Sequence, residues 1–132
     1  MSGRQGAAAA LALVGARFRL HGRDPSHGVD CLGVAVAALR AGGWRGDVPS
    51  GYALRGGAAA AIGAQLDAAL TRCDGAAPGD VLLFDLGAGQ LHFAVRTAAG
   101  IVHADAALRR VVERPGADGW RLVGAWRWSG EG

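Results

Sequence analysis

The hydrophobic pattern of this chain changes its period at residues 76–80, an Ala-Ala-Pro-Gly-Asp turn. Before the turn, apolar residues recur at helical spacing, and the pattern predicts helices over residues 7–14, 31–40 and 58–73. After the turn, short apolar or alternating runs predict strands in a meander over residues 81–84, 91–97, 101–104, 110–114 and 120–128. Helices followed by a series of strands predict an α+β fold, with N-terminal helices packed on an antiparallel sheet of about five strands.

The length fits a single domain over residues 1–132, since no internal repeat or long linker divides the sequence. The net charge is +3, and all 14 basic residues are arginines, which are scattered along the chain. Nucleic-acid binding is typical of clustered basic residues with interleaved aromatics, so we expect no nucleic-acid partner. No apolar run is long enough for a membrane span. Residues 7–16 are short and alanine-rich, and we interpret them as the first helix rather than a signal peptide.

Asp30 and Cys31 lie where a glycine-rich loop meets an apolar run of helical character. Asp is a favourable N-cap, because its carboxylate accepts hydrogen bonds from the free N–H groups of the first helical turn. Cys31 then begins the helix, where the positive end of the helix dipole stabilises a thiolate. Because the thiolate is the nucleophilic form, we predict a reactive cysteine here. Cys73 is interpreted as structural, and two cysteines do not make a disulfide scaffold.

His92 and His103 lie on two consecutive predicted strands that a short turn connects. Adjacent antiparallel strands can place two such rings side by side on one face. A cysteine hydrolase needs an imidazole that takes and returns a proton, and a third polar group that orients the imidazole. We therefore predict Cys31 as the nucleophile, His92 as the general base and acid, and His103 as the residue that orients His92, with Asp105 as the alternative for this last role.

Zinc is the alternative chemistry for Cys31, His92 and His103, because cysteine and histidine are common zinc ligands. Closely spaced ligand pairs, which mark most zinc sites, are missing from the sequence. We therefore predict neither a metal site nor a cofactor.

Five segments resemble, in the same order, motifs of the NlpC-type (NlpC / p-sixty) family of papain-like cell-wall peptidases. Residues 15–22 (GARFRLHG) are similar to the family's Gly-x-Pro-Tyr-x-Trp-Gly-Gly pattern, and residues 30–33 (DCLG) to its Asp-Cys-Ser-Gly. Residues 78–81 (PGDV) are similar to its Pro-Gly-Asp-Leu. Residues 92–95 (HFAV) resemble its general-base histidine with the apolar strand that follows, and residues 103–104 (HA) resemble its third polar residue. The resemblance covers nearly the whole chain.

The resemblance implies a papain-like fold and a cysteine endopeptidase or amidase that hydrolyses peptidoglycan stem peptides, typically at the D-γ-glutamyl–diaminopimelate bond. The compact form is similar to the enzymes of phage tails and gene-transfer agents, which open the cell wall for DNA delivery. This implies peptidoglycan and tail-tip or baseplate proteins as partners. It also implies synthesis in the cytoplasm without a clear signal peptide, and action in the periplasm or cell wall on a phage-like particle. Two alternatives stay open: a catalytically weak tail-tip protein that binds the wall, and an acyltransferase on the same scaffold.

The chain departs from the family pattern at three positions, where Tyr, Trp and Ser are replaced by Phe18, Leu20 and Leu32. Phe18 lacks the hydroxyl that in this family is thought to help stabilise the oxyanion. We therefore expect the Cys31 backbone N–H to act with another donor, His21 or Arg23. Losing one oxyanion donor typically costs about a hundredfold or more in rate. Phe18 and Leu20 are also expected to anchor their loop in the core.

Overall fold

The computed structural model describes residues 2–20, 22–24, 26–46, 59–87 and 90–128. Within these residues the helices are α1 (Ser2–Ala12), α2 (Cys31–Ala41) and α3 (Ala59–Ala69). The strands there are β1 (Arg23–Asp24), β2 (Gly28–Val29), β3 (Thr71–Arg72), β4 (Val81–Asp85), β5 (Leu91–Arg96), β6 (Ile101–Asp105), β7 (Arg110–Arg114) and β8 (Arg121–Arg127). The predicted α+β class is confirmed. None of the helices in the described ranges has the length and apolar character that crossing a membrane requires.

Six of the strands form one antiparallel sheet in the order β3-β8-β4-β5-β6-β7, and β1 pairs with β2 separately. The predicted meander is present from β4 to β7. The prediction that residues 120–128 complete this meander is wrong, because β8 pairs with β4 on one side and β3 on the other. The physical reason lies in β4, which is buried on both faces at residues 81–84. The backbone groups of such a strand need partners along both edges, and β5 supplies only one of them.

Each face of the sheet buries its own apolar cluster. On one face, α2 packs against β5 and β6 and is covered in turn by α1. This larger cluster includes Val34, Ala35, Leu83, Phe93, Val95, Val102 and Trp126. The opposite face carries a smaller cluster of Leu82, Phe84, Ala94, Ile101 and Ala125, against which Trp120 packs. The alternation along β5 therefore directs Phe93 toward α2 and directs its neighbours along the strand to the opposite face.

Helix α2 begins at the predicted residue and ends one residue later than predicted. Its N-cap is Asp30, whose side chain accepts a hydrogen bond of 2.9 Å from the N–H of Gly33. At the other end, the N–H of Gly42 donates to the carbonyl of Ala38. Gly43 follows in the left-handed region with φ of 111°. These caps satisfy backbone groups that a helix leaves unpaired, so they fix where Cys31 stands.

The loop before α2 connects the edge of the sheet to the start of this helix. Phe18 forms a bridge with Val29, and its N–H donates to the carbonyl of Arg109 at 2.9 Å. Phe18 is half-buried against the larger cluster, as predicted. Leu20 is 66% exposed, so the prediction that it anchors the loop in the core is wrong. A turn closed by the N–H of Gly22 follows Phe18 directly and places Leu20 at the surface.

Asp80 joins the turn before β4 to the end of β8. Its carboxylate is 1% exposed and accepts two hydrogen bonds of 2.8 Å from the guanidinium of Arg127. The N–H of Ala77 donates a third, at 3.0 Å. Hydrogen bonding to Asp80 raises the pKa of Arg127 above its ordinary value, so the guanidinium stays charged.

Candidate active site

Cys31 is the first residue of α2, and its side chain is buried. The backbone of Phe93 on β5 hydrogen bonds to the thiol. Since Phe93 directly follows His92, the thiol lies beside the strand segment that carries the predicted base. The sulfur thus lies on the α2 side of β5, whereas the His92 side chain lies on the opposite face of the sheet, where it contacts Trp120.

The pKa of the Cys31 thiol is raised from 9.0 to about 11. Burial is the largest cause, because the charged thiolate loses its hydration, and the negative charge of Asp30 acts in the same direction. Hydrogen bonds from the backbones of Phe93, Leu32 and Cys31 itself oppose this rise without cancelling it. The expectation of a thiolate stabilised at the helix start is thus wrong for this structure. Cys31 carries a neutral thiol at neutral pH.

His92 and His103 form a hydrogen-bonded pair. The distance from Nε2 of His92 to Nδ1 of His103 is 2.9 Å, and the ring planes cross at 83°. The predicted side-by-side placement of these rings is confirmed, and their chemical roles stay a prediction. Because His103 occupies Nε2 of His92, Nδ1 is the ring nitrogen through which His92 can take a proton from another group.

Both histidines are neutral at pH 7. Burial lowers the pKa of His92 from 6.5 to about 4, and the charge of His103 lowers it as well, whereas the carboxylate of Asp105 raises it. Burial also lowers the pKa of His103, where Asp105 opposes the shift and Arg114 adds to it. Each ring in this state carries one proton, so one nitrogen donates and the other accepts.

Asp105, the alternative orienting residue, acts on the pair through its charge. One carboxylate oxygen accepts a hydrogen bond of 3.0 Å from the N–H of Leu108 in the turn after β6. The ring hydrogen bond of His92 is made with His103. His103 therefore makes the ring contact with His92, and Asp105 contributes through its charge.

Trp120 also contacts the histidine pair, and the sequence did not predict this contact. Its ring centroid lies 5.5 Å from that of His92 and 5.1 Å from that of His103, with both pairs of planes near perpendicular. Nothing in the sequence pattern indicates this contact. It depends on the return of β8 to the side of β4, where Phe84 pairs with Leu122.

Of the two predicted oxyanion donors, the structure describes Arg23, while His21 lies outside the described residues. Arg23 lies on β1, and its Nη1 donates to Oδ1 of Asp30 at 2.8 Å and to the carbonyl of Gly22 at 2.9 Å. Its guanidinium therefore holds the N-cap carboxylate in this structure. The loop also approaches α2 closely. A Cβ on Gly33 would lie 2.6 Å from the carbonyl oxygen of Gly22, so only glycine fits there.

Cys31 and Cys73 are not joined in a disulfide. Among the residues that the structure describes, no group of three or more His, Cys, Asp or Glu side chains is placed to hold a metal ion.

No protein-family model matches the chain, and no curated protein matches it. The family resemblance therefore rests on the sequence motifs alone.

Proposed function

We propose that this protein is an NlpC-type, papain-like cysteine endopeptidase or amidase that hydrolyses peptidoglycan stem peptides, with the D-γ-glutamyl–diaminopimelate bond as its target. The observation that carries the proposal is the 2.9 Å hydrogen bond between His92 and His103 on β5 and β6, the two strands against which the Cys31 helix packs. Thiol hydrolysis requires a cysteine and an oriented imidazole in contact. The proposed function therefore requires the His92 ring, which lies on the face opposite α2, to meet the Cys31 thiol at the start of β5.

The proposed reaction begins from a neutral thiol and a neutral imidazole. The Nε2–H of His92 donates a hydrogen bond to Nδ1 of His103, so Nδ1 of His92 carries no proton and acts as the base. Nδ1 takes the thiol proton while the Cys31 sulfur attacks the carbonyl carbon of the peptide. Because the two pKa values are about 11 and about 4, transfer of the proton has to accompany the attack. The carboxylate of Asp105 favours the imidazolium that forms.

The tetrahedral intermediate then collapses. The His92 imidazolium gives its proton to the leaving amine, the C–N bond breaks, and a thioester remains on Cys31. Water attacks the thioester while His92 takes one of its protons, and the C–S bond breaks. The sulfur regains a proton, and the carboxylate product leaves.

Oxyanion stabilisation is assigned to the backbone N–H of Cys31 together with Arg23 or His21. Phe18 supplies no hydroxyl, so we expect turnover about a hundredfold or more below that of an enzyme with a full set of donors. For Arg23, this role requires its guanidinium to be shared between Asp30 and the substrate, because it already donates to that carboxylate.

The biological setting is proposed from the sequence resemblance alone. We place the protein with the compact enzymes of phage tails and gene-transfer agents, with tail-tip or baseplate proteins as partners and the periplasm or cell wall as its place of action.

A catalytically weak tail-tip protein that binds the wall is the second candidate. The observation that favours it is the Cys31 thiol, which is 5% exposed and has its pKa raised to about 11. A buried neutral thiol is a poor nucleophile unless a base activates it.

Mass spectrometry of soluble products from purified Gram-negative sacculi tests the two candidates. The parent protein is compared with Cys31→Ala and, as a matched control, with Cys73→Ala. We expect the parent and Cys73→Ala to release cleaved stem peptides and Cys31→Ala to release none. Release by Cys31→Ala would show that the nucleophile is misassigned. No release by any of the three, with all of them bound to sacculi, would support the second candidate.

The roles of the histidines are tested by the same peptide release. We expect His92→Ala to lower the rate by about 10² to 10⁴-fold, because general acid–base catalysis contributes this much. His103→Ala should cost less, because it removes only the orienting contact. Circular dichroism checks that both variants fold. If His103→Ala were the more damaging change, the two roles would have to be exchanged.

A further inference from the structure

Trp120 stands on the face of the sheet opposite α2 and contacts both rings of the histidine pair. The planes of Trp120 and His92 cross at 88°, those of Trp120 and His103 at 89°, and those of the two histidines at 83°. The three rings are therefore close to mutually perpendicular, with all three centroid distances between 5.0 and 5.5 Å. This edge-to-face geometry is the favoured arrangement of aromatic rings.

We propose that Trp120 is a positioning residue for the histidine pair: its indole fixes the orientation of both imidazoles and closes their side of the sheet to water. The catalytic consequence rests on the function proposed above, whereas the effect on ring geometry does not.

The indole of Trp120 contacts the rings of both His92 and His103. A hydrogen bond of 2.9 Å fixes the separation of Nε2 and Nδ1 but leaves each ring some freedom to tilt about it. A surface that touches both rings at right angles removes that freedom from His92 and His103 together. Edge-to-face pairs contribute about 0.5–1.5 kcal/mol each beyond the burial of area, which is enough to select one arrangement.

The indole of Trp120 is itself held in place by side chains of two strands. Phe84 on β4 lies 5.3 Å from its ring centroid at an interplanar angle of 68°. The Cζ atom of Arg114, on β7, lies over the indole at 4.3 Å from the centroid. Contacts from β4 and β7 thus fix the indole against side chains of β5 and β6, so its position depends on the folded sheet rather than on its own turn.

Two charged side chains act on the histidine pair. The charged groups that act on the two rings are Asp105 from β6 and Arg114 from β7. Arg114 is stacked on Trp120, so the indole also sets where this positive charge stands. Burial and the Arg114 charge both oppose protonation of His103, and burial opposes protonation of His92. A neutral His92 with an unprotonated Nδ1 is the state that the proposed reaction needs.

The test is nitrogen-15 NMR of the histidine side chains, which reports the tautomer and the pKa of each ring. All variants carry Cys31→Ala, so that no turnover takes part in the measurement. In the parent background we expect single fixed tautomers for both histidines and nuclear Overhauser effects between their ring protons and the Trp120 indole. Trp120→Leu should give mixed tautomers and a His92 pKa that moves from about 4 toward 6.5. Trp120→Phe, which keeps a ring, should restore the parent pattern at least in part.

Leu122→Ala is the matched control, because Leu122 is exposed on β8 and pairs with Phe84 beside Trp120. We expect it to leave tautomers and pKa values unchanged. Fixed tautomers and an unmoved His92 pKa in Trp120→Leu would overturn the proposal. If Trp120→Leu failed to fold, the parent spectrum would still decide, since missing Overhauser effects between the indole and either imidazole contradict the contact.

Turnover separates this proposal from the function itself. In chains that retain Cys31, Trp120→Leu should lower kcat for stem-peptide release while KM changes little, because the indole contacts the histidines and not the substrate. A parent protein that releases no peptide but shows the NMR behaviour above would contradict the proposed function and leave the positioning role of Trp120 supported.

Discussion

At the scale of the residue, Asp30 has two effects that oppose each other. Its carboxylate caps α2 through Gly33 and holds Arg23, which fixes the backbone on which Cys31 stands. The same negative charge contributes to the raised pKa of the Cys31 thiol, second to burial. The residue that positions Cys31 therefore also disfavours the ionised form of its thiol.

Asp30→Asn separates these two effects. Asn caps helices about as well as Asp but carries no charge, so α2 should keep its start while the Cys31 pKa falls. We expect iodoacetamide to modify Cys31 faster at pH 8, by less than about tenfold, because burial still opposes the thiolate. Mass spectrometry of the digested protein gives the rate. Cys73 in the same sample is the control, since Asp30 is not among the groups that shift its pKa. An unchanged rate at Cys31 would contradict the assigned effect.

Much of the candidate site could be predicted from local sequence, but the ionisation of its groups could not. The Asp30 cap and the start of α2 depend on neighbouring residues, so the pattern predicts them correctly. The pairing of His92 with His103 follows from two strands joined by a short turn. The neutral state of the Cys31 thiol follows from burial under α2 and β5. Burial is a tertiary property, and here it outweighs the helix dipole on which the prediction depended.

At the scale of the element, β4 lies inside the sheet between β8 and β5, and an ion pair joins Asp80, directly before β4, to Arg127 at the end of β8. The Asp80 carboxylate is 1% exposed, whereas the side chain of Arg127 is 44% exposed. Loss of one partner therefore has unequal consequences, because a guanidinium left alone can be hydrated and a buried carboxylate cannot.

We expect Arg127→Met to destabilise the protein by about 3 kcal/mol, since it leaves the Asp80 carboxylate buried without its charged partner. Asp80→Asn should cost less, because its amide oxygen still accepts hydrogen bonds. Urea unfolding measures both. Arg121→Met, on the same strand, removes a pair with Asp85 in which Arg121 is 73% exposed, and it should destabilise the protein much less than Arg127→Met does. Equal losses for Arg127→Met and Arg121→Met would refute this reading of the buried pair.

The elements that the sequence did not predict are those that only pairing with another segment defines. Two-residue strands such as β1, β2 and β3 have too few positions to show alternation, and pairing alone defines them. The long strands from β4 to β8 each carry their own pattern, so their existence was predicted. The place of β8 was not, because alternation reports which face is buried and not which strand is the neighbour.

At the scale of the whole molecule, two buried groups give the free energy of unfolding a pH dependence on both sides of neutrality. His92 has a pKa of about 4 in the folded protein against 6.5 ordinarily. Between these values the unfolded chain binds a proton that the folded chain does not, so stability falls as the pH falls. Cys31 has a pKa of about 11 against 9.0. The unfolded thiol therefore ionises first, and stability falls as the pH rises from 9.0 to 11.

We expect stability to be highest between pH 6.5 and 9.0 and the loss due to His92 to reach about 3 kcal/mol near pH 4. Urea unfolding at a series of pH values measures the profile. His92→Gln should reduce the slope on the acid side, where the titration of His103 still contributes, and Cys31→Ala should reduce the slope on the alkaline side. Slopes that neither substitution changes would show that other groups control the profile.

The connection between β5 and β6 also bears on the order in which the site assembles. His92 and His103 are 11 positions apart and meet across one short turn, whereas Cys31 reaches β5 from a helix that precedes both the loop after α2 and all of α3. Closing a short loop costs less conformational entropy than closing a long one. During folding, the histidine pair can therefore form before α2 packs on β5. A partly folded chain then holds the pair without the Cys31 helix, so any chemistry that needs all three side chains is confined to the fully folded molecule.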